Sequence, residues 1–120
     1  MRLFLFLILL SPLAQADVEW GDTYFCNMTH LSKVTIEGQH EQFNNQKFKF
    51  QVNEEKNALT FGNAGFFKDL EIPIFAKLRS VLATSPKGGI TLHLTDNKLI
   101  FTQNGLSHAF TVTADCDKFE

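Results

Sequence analysis

The sequence predicts an all-β fold: a small antiparallel β-meander that closes into a barrel or sandwich of six to eight strands. Three observations predict it. Apolar and polar residues alternate with period two over most of the chain, which turns every second side chain toward one face. Runs of Asn, Asp, Gly and Pro interrupt the alternation at close spacing, as turns between short strands do. Two cysteines, Cys26 and Cys116, fall in the first and last predicted strands, where a bridge between them would tie the ends of the meander together.

The first sixteen residues stand apart from this pattern. Met1-Arg2 is a short basic start, residues 3–10 are an unbroken apolar run, and Ala14-Gln15-Ala16 follows Ser11-Pro12 as a small-x-small site. This is the layout of a secretory signal peptide, and the run is too short for a membrane-spanning helix of about 20 residues. Residues 1–16 are therefore expected to be cleaved. Residues 17–120 are expected to form one small β domain, secreted or periplasmic, with no membrane insertion after cleavage. Cys26 lies ten residues past the expected cut and has none of the small residues before it that a lipidated cysteine needs.

Along the mature chain, residues 20–27 and 33–37 read as strands with a kink or turn near His30, and the polar stretch 38–46 as a loop. Phe48, Phe50 and Val52 alternate with Lys49 and Gln51, residues 53–57 make a polar turn, and Leu59 and Phe61 return, so a β-hairpin is expected. Residues 62–65 are a further turn. Over residues 70–82, strand and helix patterns fit equally well. A strand is preferred because its neighbours are β and Pro73 is tolerated on an edge. Residues 85–89 then form a surface loop. Ile90, Leu92 and Leu94 make one strand, Asp96-Asn97 a turn, and residues 98–103 the next strand. Asn104-Gly105 is expected to be a type I′ turn, and residues 106–115 the last strand, with Phe110, Val112, Ala114 and Cys116 in phase.

Composition excludes some functions. Once Arg2 is removed, ten Lys+Arg face thirteen Asp+Glu, scattered along the chain. No basic stripe is present to neutralise a phosphate backbone, so no nucleic acid is expected as a partner. The two cysteines enclose 91 residues. In an oxidising compartment such a pair closes, and chain entropy gives the bridge up to roughly 4–5 kcal/mol.

Catalytic and metal-binding patterns are missing. His30, His40, His93 and His108 make no H-x-x-x-H, although the meander could bring His93 and His108 together. Ser32, Ser80, Ser85 and Ser107 sit in no nucleophile elbow. Glu54-Glu55 lies in a predicted turn, where nothing would raise a carboxyl pKa. Lys87, among the glycines of the 85–89 loop, is a weak anion cradle. Asn27-Met28-Thr29 matches a glycosylation sequon beside a disulfide cysteine. No catalytic residue, cofactor or metal is therefore expected.

Phe66-Phe67-Lys68 is the candidate contact. Adjacent aromatics on a strand point to opposite faces, so one ring is exposed unless a loop covers it. Tyr24-Phe25 raises the same question. An exposed Phe beside a Lys suits a partner-binding surface.

The stretch 88–116, with its glycine loop, the turn at Asp96-Asn97, then Leu99-Ile100-Phe101 and Gly105, resembles the small periplasmic inhibitors of c-type lysozyme. That family inserts a Ser-Gly-x-x-Tyr loop into the lysozyme cleft. The matching residues read Pro86-Lys87-Gly88-Gly89-Ile90, without the serine, the following glycine or the tyrosine. The resemblance therefore implies an architecture and an inhibitor-like alternative, but no site residues.

These features point to a monomeric, non-enzymatic binding or interaction module. Its ligand would be a protein, a glycan or a small apolar molecule held in the barrel mouth. A small hydrolase whose residues meet only in the fold is the rival. A buried cleft with His93 or His108 near a carboxylate would favour the enzyme, an exposed Phe66 or Phe67 the partner binder, and a deep Phe-lined cavity the carrier.

Overall fold

A computed structural model describes residues 17–119. The expected signal peptide, residues 1–16, lies outside the described residues. The chain forms β1 (Thr23–Thr35), β2 (His40–Gln42), β3 (Lys47–Asn53), β4 (Ala58–Phe61), β5 (Glu71–Lys77), β6 (Val81–Thr84), β7 (Ile90–Thr95), β8 (Lys98–Asn104) and β9 (His108–Lys118). Eight of these, β1 and β3 to β9, run antiparallel around a closed barrel, because β9 returns to pair with β1. β2 is a short flap beside the upper half of β1, pairing His40 to Gln42 with Ser32 to Val34.

The period-two pattern explains which side chains fill the barrel. Phe50, Val52, Leu59, Phe61, Ile72, Val81, Ala83, Leu92, Leu94, Leu99, Phe101, Val112 and Ala114 are buried in one core, with Phe48 partly so. Closure removes the free edges that an open meander would offer to other chains. Cys26 lies directly opposite Cys116 across the β1–β9 seam, with Cα atoms 4.0 Å apart, and the two are joined by a disulfide. The bridge links the first barrel strand to the last, and both cysteines are buried in the core.

Several boundaries differ from the sequence reading, each for a local reason. The kink near His30 is a β-bulge between Met28 and His30, so β1 is one long strand and not two. The stretch read as a loop, 38–46, contains β2. Residues 70–82 form two strands joined at Leu78-Arg79-Ser80, with Lys77 opposite Val81. Phe75 is the extra residue of a bulge between Ile74 and Ala76, and it is exposed. Asn104-Gly105 is not a type I′ turn: neither residue has positive φ, and a wider loop returns the chain, with the Gly105 N–H donating to the His108 carbonyl. The two-residue turn with left-handed backbone at both positions is Asp96-Asn97, at φ 50° and 63°, between the paired Thr95 and Lys98.

The lower end of the barrel is closed by the strap 17–22. Val18 is buried there and donates its N–H to the Leu78 carbonyl, while Lys77 Nζ donates to the Val18 carbonyl and sits 5.0 Å over the Trp20 ring. Lys118 Nζ donates to the Asp17 carbonyl and lies 3.1 Å from Asp22 Oδ2. The hydrogen bond to Asp22 holds the Lys118 ammonium above its ordinary pKa, and burial pushes the neighbouring Tyr24 hydroxyl up. Both shifts favour the proton-bound form in the folded state. The unfolded chain therefore releases these protons first as pH rises through about 10. Stability should hold below that pH and fall above it. We expect Lys118→Gln combined with Tyr24→Phe to lower the melting temperature at pH 8 and to show a smaller further loss between pH 9 and 11 than wild type. Equal alkaline losses in calorimetry would mean that the clamp is not their source.

Candidate functional site

The upper end of the barrel is closed by residues 62–70, the connection from β4 to β5. A straight strand through Phe66-Phe67 would expose one ring, but this segment is a loop and turns both rings toward the barrel. Phe67 is 1% exposed, with ring centroids 4.5 Å from Phe48 and 4.8 Å from both Phe61 and Phe101. Phe66 is half-buried, edge-on to Phe67 at 5.0 Å and to Phe110 at 5.3 Å. Of the predicted contact, only Lys68 is freely exposed.

Local chemistry fixes the loop. Gln46 Oε1 accepts the Phe66 N–H at 2.9 Å, and the Gln46 carbonyl accepts the Met28 N–H. Gly65 has φ +83°, and a Cβ there would stand 2.8 Å from Gln46 Oε1. The left-handed backbone favours glycine here, and any side chain would also push the Gln46 amide off the Phe66 N–H.

The other aromatic doublet, Tyr24-Phe25, does split. Tyr24 turns inward and stacks on Phe50 at 5.3 Å. Phe25 turns outward, 45% exposed, with Phe119 edge-on at 5.6 Å. Between Phe25 and the 62–64 turn lies a groove of about 250 Å³. Its lining joins Phe25, Phe48 and Phe67 to Lys47, Lys49 and the 62–64 turn, with Phe67 buried and both lysines exposed. The two aromatic doublets of the sequence thus contribute to one feature. Phe67 takes part as buried packing and Phe25 as exposed surface.

The lysines give the groove its charge. Lys33, Lys56, Arg79, Lys98 and Lys118 all have carboxylate partners. Among the described residues Lys47, Lys49, Lys68, Lys77 and Lys87 have none, and of these Lys47 and Lys49 line the groove. They are two apart on β3, so both project from one face, about 7 Å from each other. Lys49 is directly opposite Phe25 in the sheet, and on the far side of Phe25 is Asp117 of β9.

Other candidates assemble less. His93 lies on the outer wall opposite Ile100, at mid-strand, whereas His108 begins β9 beside the upper loop, so the two are not neighbours. The hollow around His93, about 440 Å³, is lined chiefly by Thr29, Thr95, Ile100 and Thr113, and its carboxylate, Asp115, is bound to Lys98. His30 Nε2 is 2.9 Å from Ser32 Oγ, a pair that His-x-Ser spacing on one strand face could have flagged. Ser32 is buried and, among the described residues, no carboxylate orients the His30 ring. Glu54 and Glu55 occupy an exposed turn, closed by the Asn57 N–H donating to the Glu54 carbonyl. In the 85–89 loop the Gly88 N–H is already spent on the Ser85 carbonyl, and Lys87 is exposed. Among the described residues no group of three or more His, Cys, Asp or Glu could hold a metal ion.

Comparison with protein-family models, curated proteins and solved structures gave no match. Sequence reasoning singled out Phe25, Phe66, Phe67 and Lys68 but missed Lys47, Lys49, Asn63 and Phe119. The lysines alternate with Phe48 and Phe50, and this placed them on an outer face. Nothing local said which loop would border that face.

Proposed function

We propose that this protein is an exported, non-catalytic binding module that engages a partner through the groove on its outer wall. The observation that carries the reading is an apolar recess edged by two lysines that, among the described residues, have no carboxylate partner. Exposed aromatics beside unspent charge are what a contact surface needs. A carrier of small apolar molecules would need an interior void. Here Phe50, Phe67 and Phe101 are fully buried in the barrel, and the hollow at its Val18 end measures only about 110 Å³, which supports a partner binder over a carrier. The buried disulfide supports an oxidising compartment, and with the leader-like residues 1–16 it favours secretion or the periplasm.

The test is photo-crosslinking in the exporting cell. A benzophenone-bearing phenylalanine analogue is placed either at Asn63, in the groove lining, or at Thr91, exposed on β7. Adducts of discrete mass from position 63 and none from 91 are expected. Equal yields from both positions, or no adduct from 63, would overturn the assignment of this wall.

A further inference from the structure

Resting on that reading, we propose that the groove takes an acidic peptide segment of a protein partner. One aromatic or branched aliphatic side chain of that segment would sit among Phe25, Phe48 and Phe67, with its carboxylates against Lys47 and Lys49. Size, charge and shape each narrow the occupant.

The volume of about 250 Å³ falls below the roughly 300–1,000 Å³ of clefts that enclose whole small molecules. It suits a single anchoring side chain of something larger. Among the described residues the two lysines have no carboxylate partner, so an incoming carboxylate would break no ion pair among them. Their common face and about 7 Å separation match carboxylates spaced two residues apart on an extended strand.

Asp117 narrows the choice further. It flanks Phe25 on the side away from Lys49. A broad anionic surface, such as a bilayer lying over Phe25, would meet this carboxylate together with the lysines. A narrow segment entering from the β3 side avoids it, and the like charge fixes its side of approach.

The experiment uses the oxidised mature domain and three fluorescein-labelled nonapeptides, read by anisotropy at low salt. One has acidic residues around a central phenylalanine, one replaces that phenylalanine with alanine, and one replaces the acids with lysines. Wild type should bind the first at least tenfold more tightly than either of the others. Lys47→Glu with Lys49→Glu should reverse the preference between acidic and basic peptides. Phe25→Ala should remove the preference for the central phenylalanine. Both variants change exposed side chains, and a wild-type melting curve confirms that they fold.

Equal affinity for all three peptides, or an unchanged preference in the lysine variant, would overturn the proposal. So would binding of phosphatidylglycerol vesicles or of laurate, lost in that variant, without binding of the acidic peptide. Adducts at Asn63 alongside indifference to the peptides would reject this occupant and leave the contact surface standing. Indifference without adducts would reject both.

Discussion

Cys116→Ser is expected to lower the melting temperature of the mature domain by about 15–40 °C. The bridge closes a loop of 91 residues, and the chain-entropy relation gives about 4–5 kcal/mol for a loop of that size. A domain of roughly 100 residues shifts by about 4–8 °C per kcal/mol. Measured losses fall at or below this range when the reduced denatured state keeps structure. The position of the bridge raises its effect. It joins β1 to β9 at the seam where the barrel closes, and every other strand pair in the barrel is a sequence-adjacent hairpin or the short step from β1 to β3. The β1–β9 contact is the one that costs most chain entropy to form. Cys26→Ala with Cys116→Ala should melt close to Cys116→Ser, which separates loss of the bridge from effects of a lone thiol. Because both cysteines are at most 2% exposed, a thiol reductant without denaturant should leave the bridge intact. A shift under about 5 °C in both variants would mean that the strands hold the seam unaided.

Phe67→Ala is the second large effect. The removed ring lies within 5.0 Å, centroid to centroid, of Phe48, Phe61, Phe66 and Phe101. Buried Phe→Ala changes cost about 3–5 kcal/mol, from lost transfer energy and the cavity left behind. The loop is otherwise held by Gln46 and a few backbone hydrogen bonds, so amide exchange should rise selectively over residues 65–70. Phe67→Leu, which keeps most of the volume, should cost less than half as much. Phe75→Ala is the control: that ring is 73% exposed, and its loss should change stability by about 0.5 kcal/mol or less. Urea unfolding measures all three. A Phe67→Ala loss no larger than the Phe75→Ala loss would refute the anchoring role of this ring. The variant also removes a ring from the groove lining, so crosslinking through Asn63 should weaken even below the unfolding transition.

Two features of this chain exert opposite demands on the same residues. The 62–70 loop must bury Phe67 to close the barrel, yet its 62–64 turn lines the groove. Closure and contact surface are therefore coupled. A substitution that loosens the loop, at Gly65 for example, should disturb both, whereas changes at Lys47 or Lys49 touch only the contact surface.

The all-β class, the meander order, the inward residues of β3, β4, β7, β8 and β9, and the pairing of Cys26 with Cys116 were legible in the residues themselves. All are consequences of period-two alternation or of a two-cysteine count. The alternation is a local signal, since a strand's inward face is set by its own pleat whatever it packs against. Phe66 and Phe67 show where that logic stops. Their adjacency forecasts opposite faces only on a strand, and the fold put them on a loop held by Gln46, a residue twenty positions away. Lys47, Lys49 and Phe25 are likewise far apart from Asn63 in sequence and become one feature only when β1, β3 and the loop after β4 converge. Closure through β1 and β9 was expected from the cysteine pair, but the identity of the exposed recess is encoded in no short window: it depends on which distant surfaces meet, and that is a property of the packed chain.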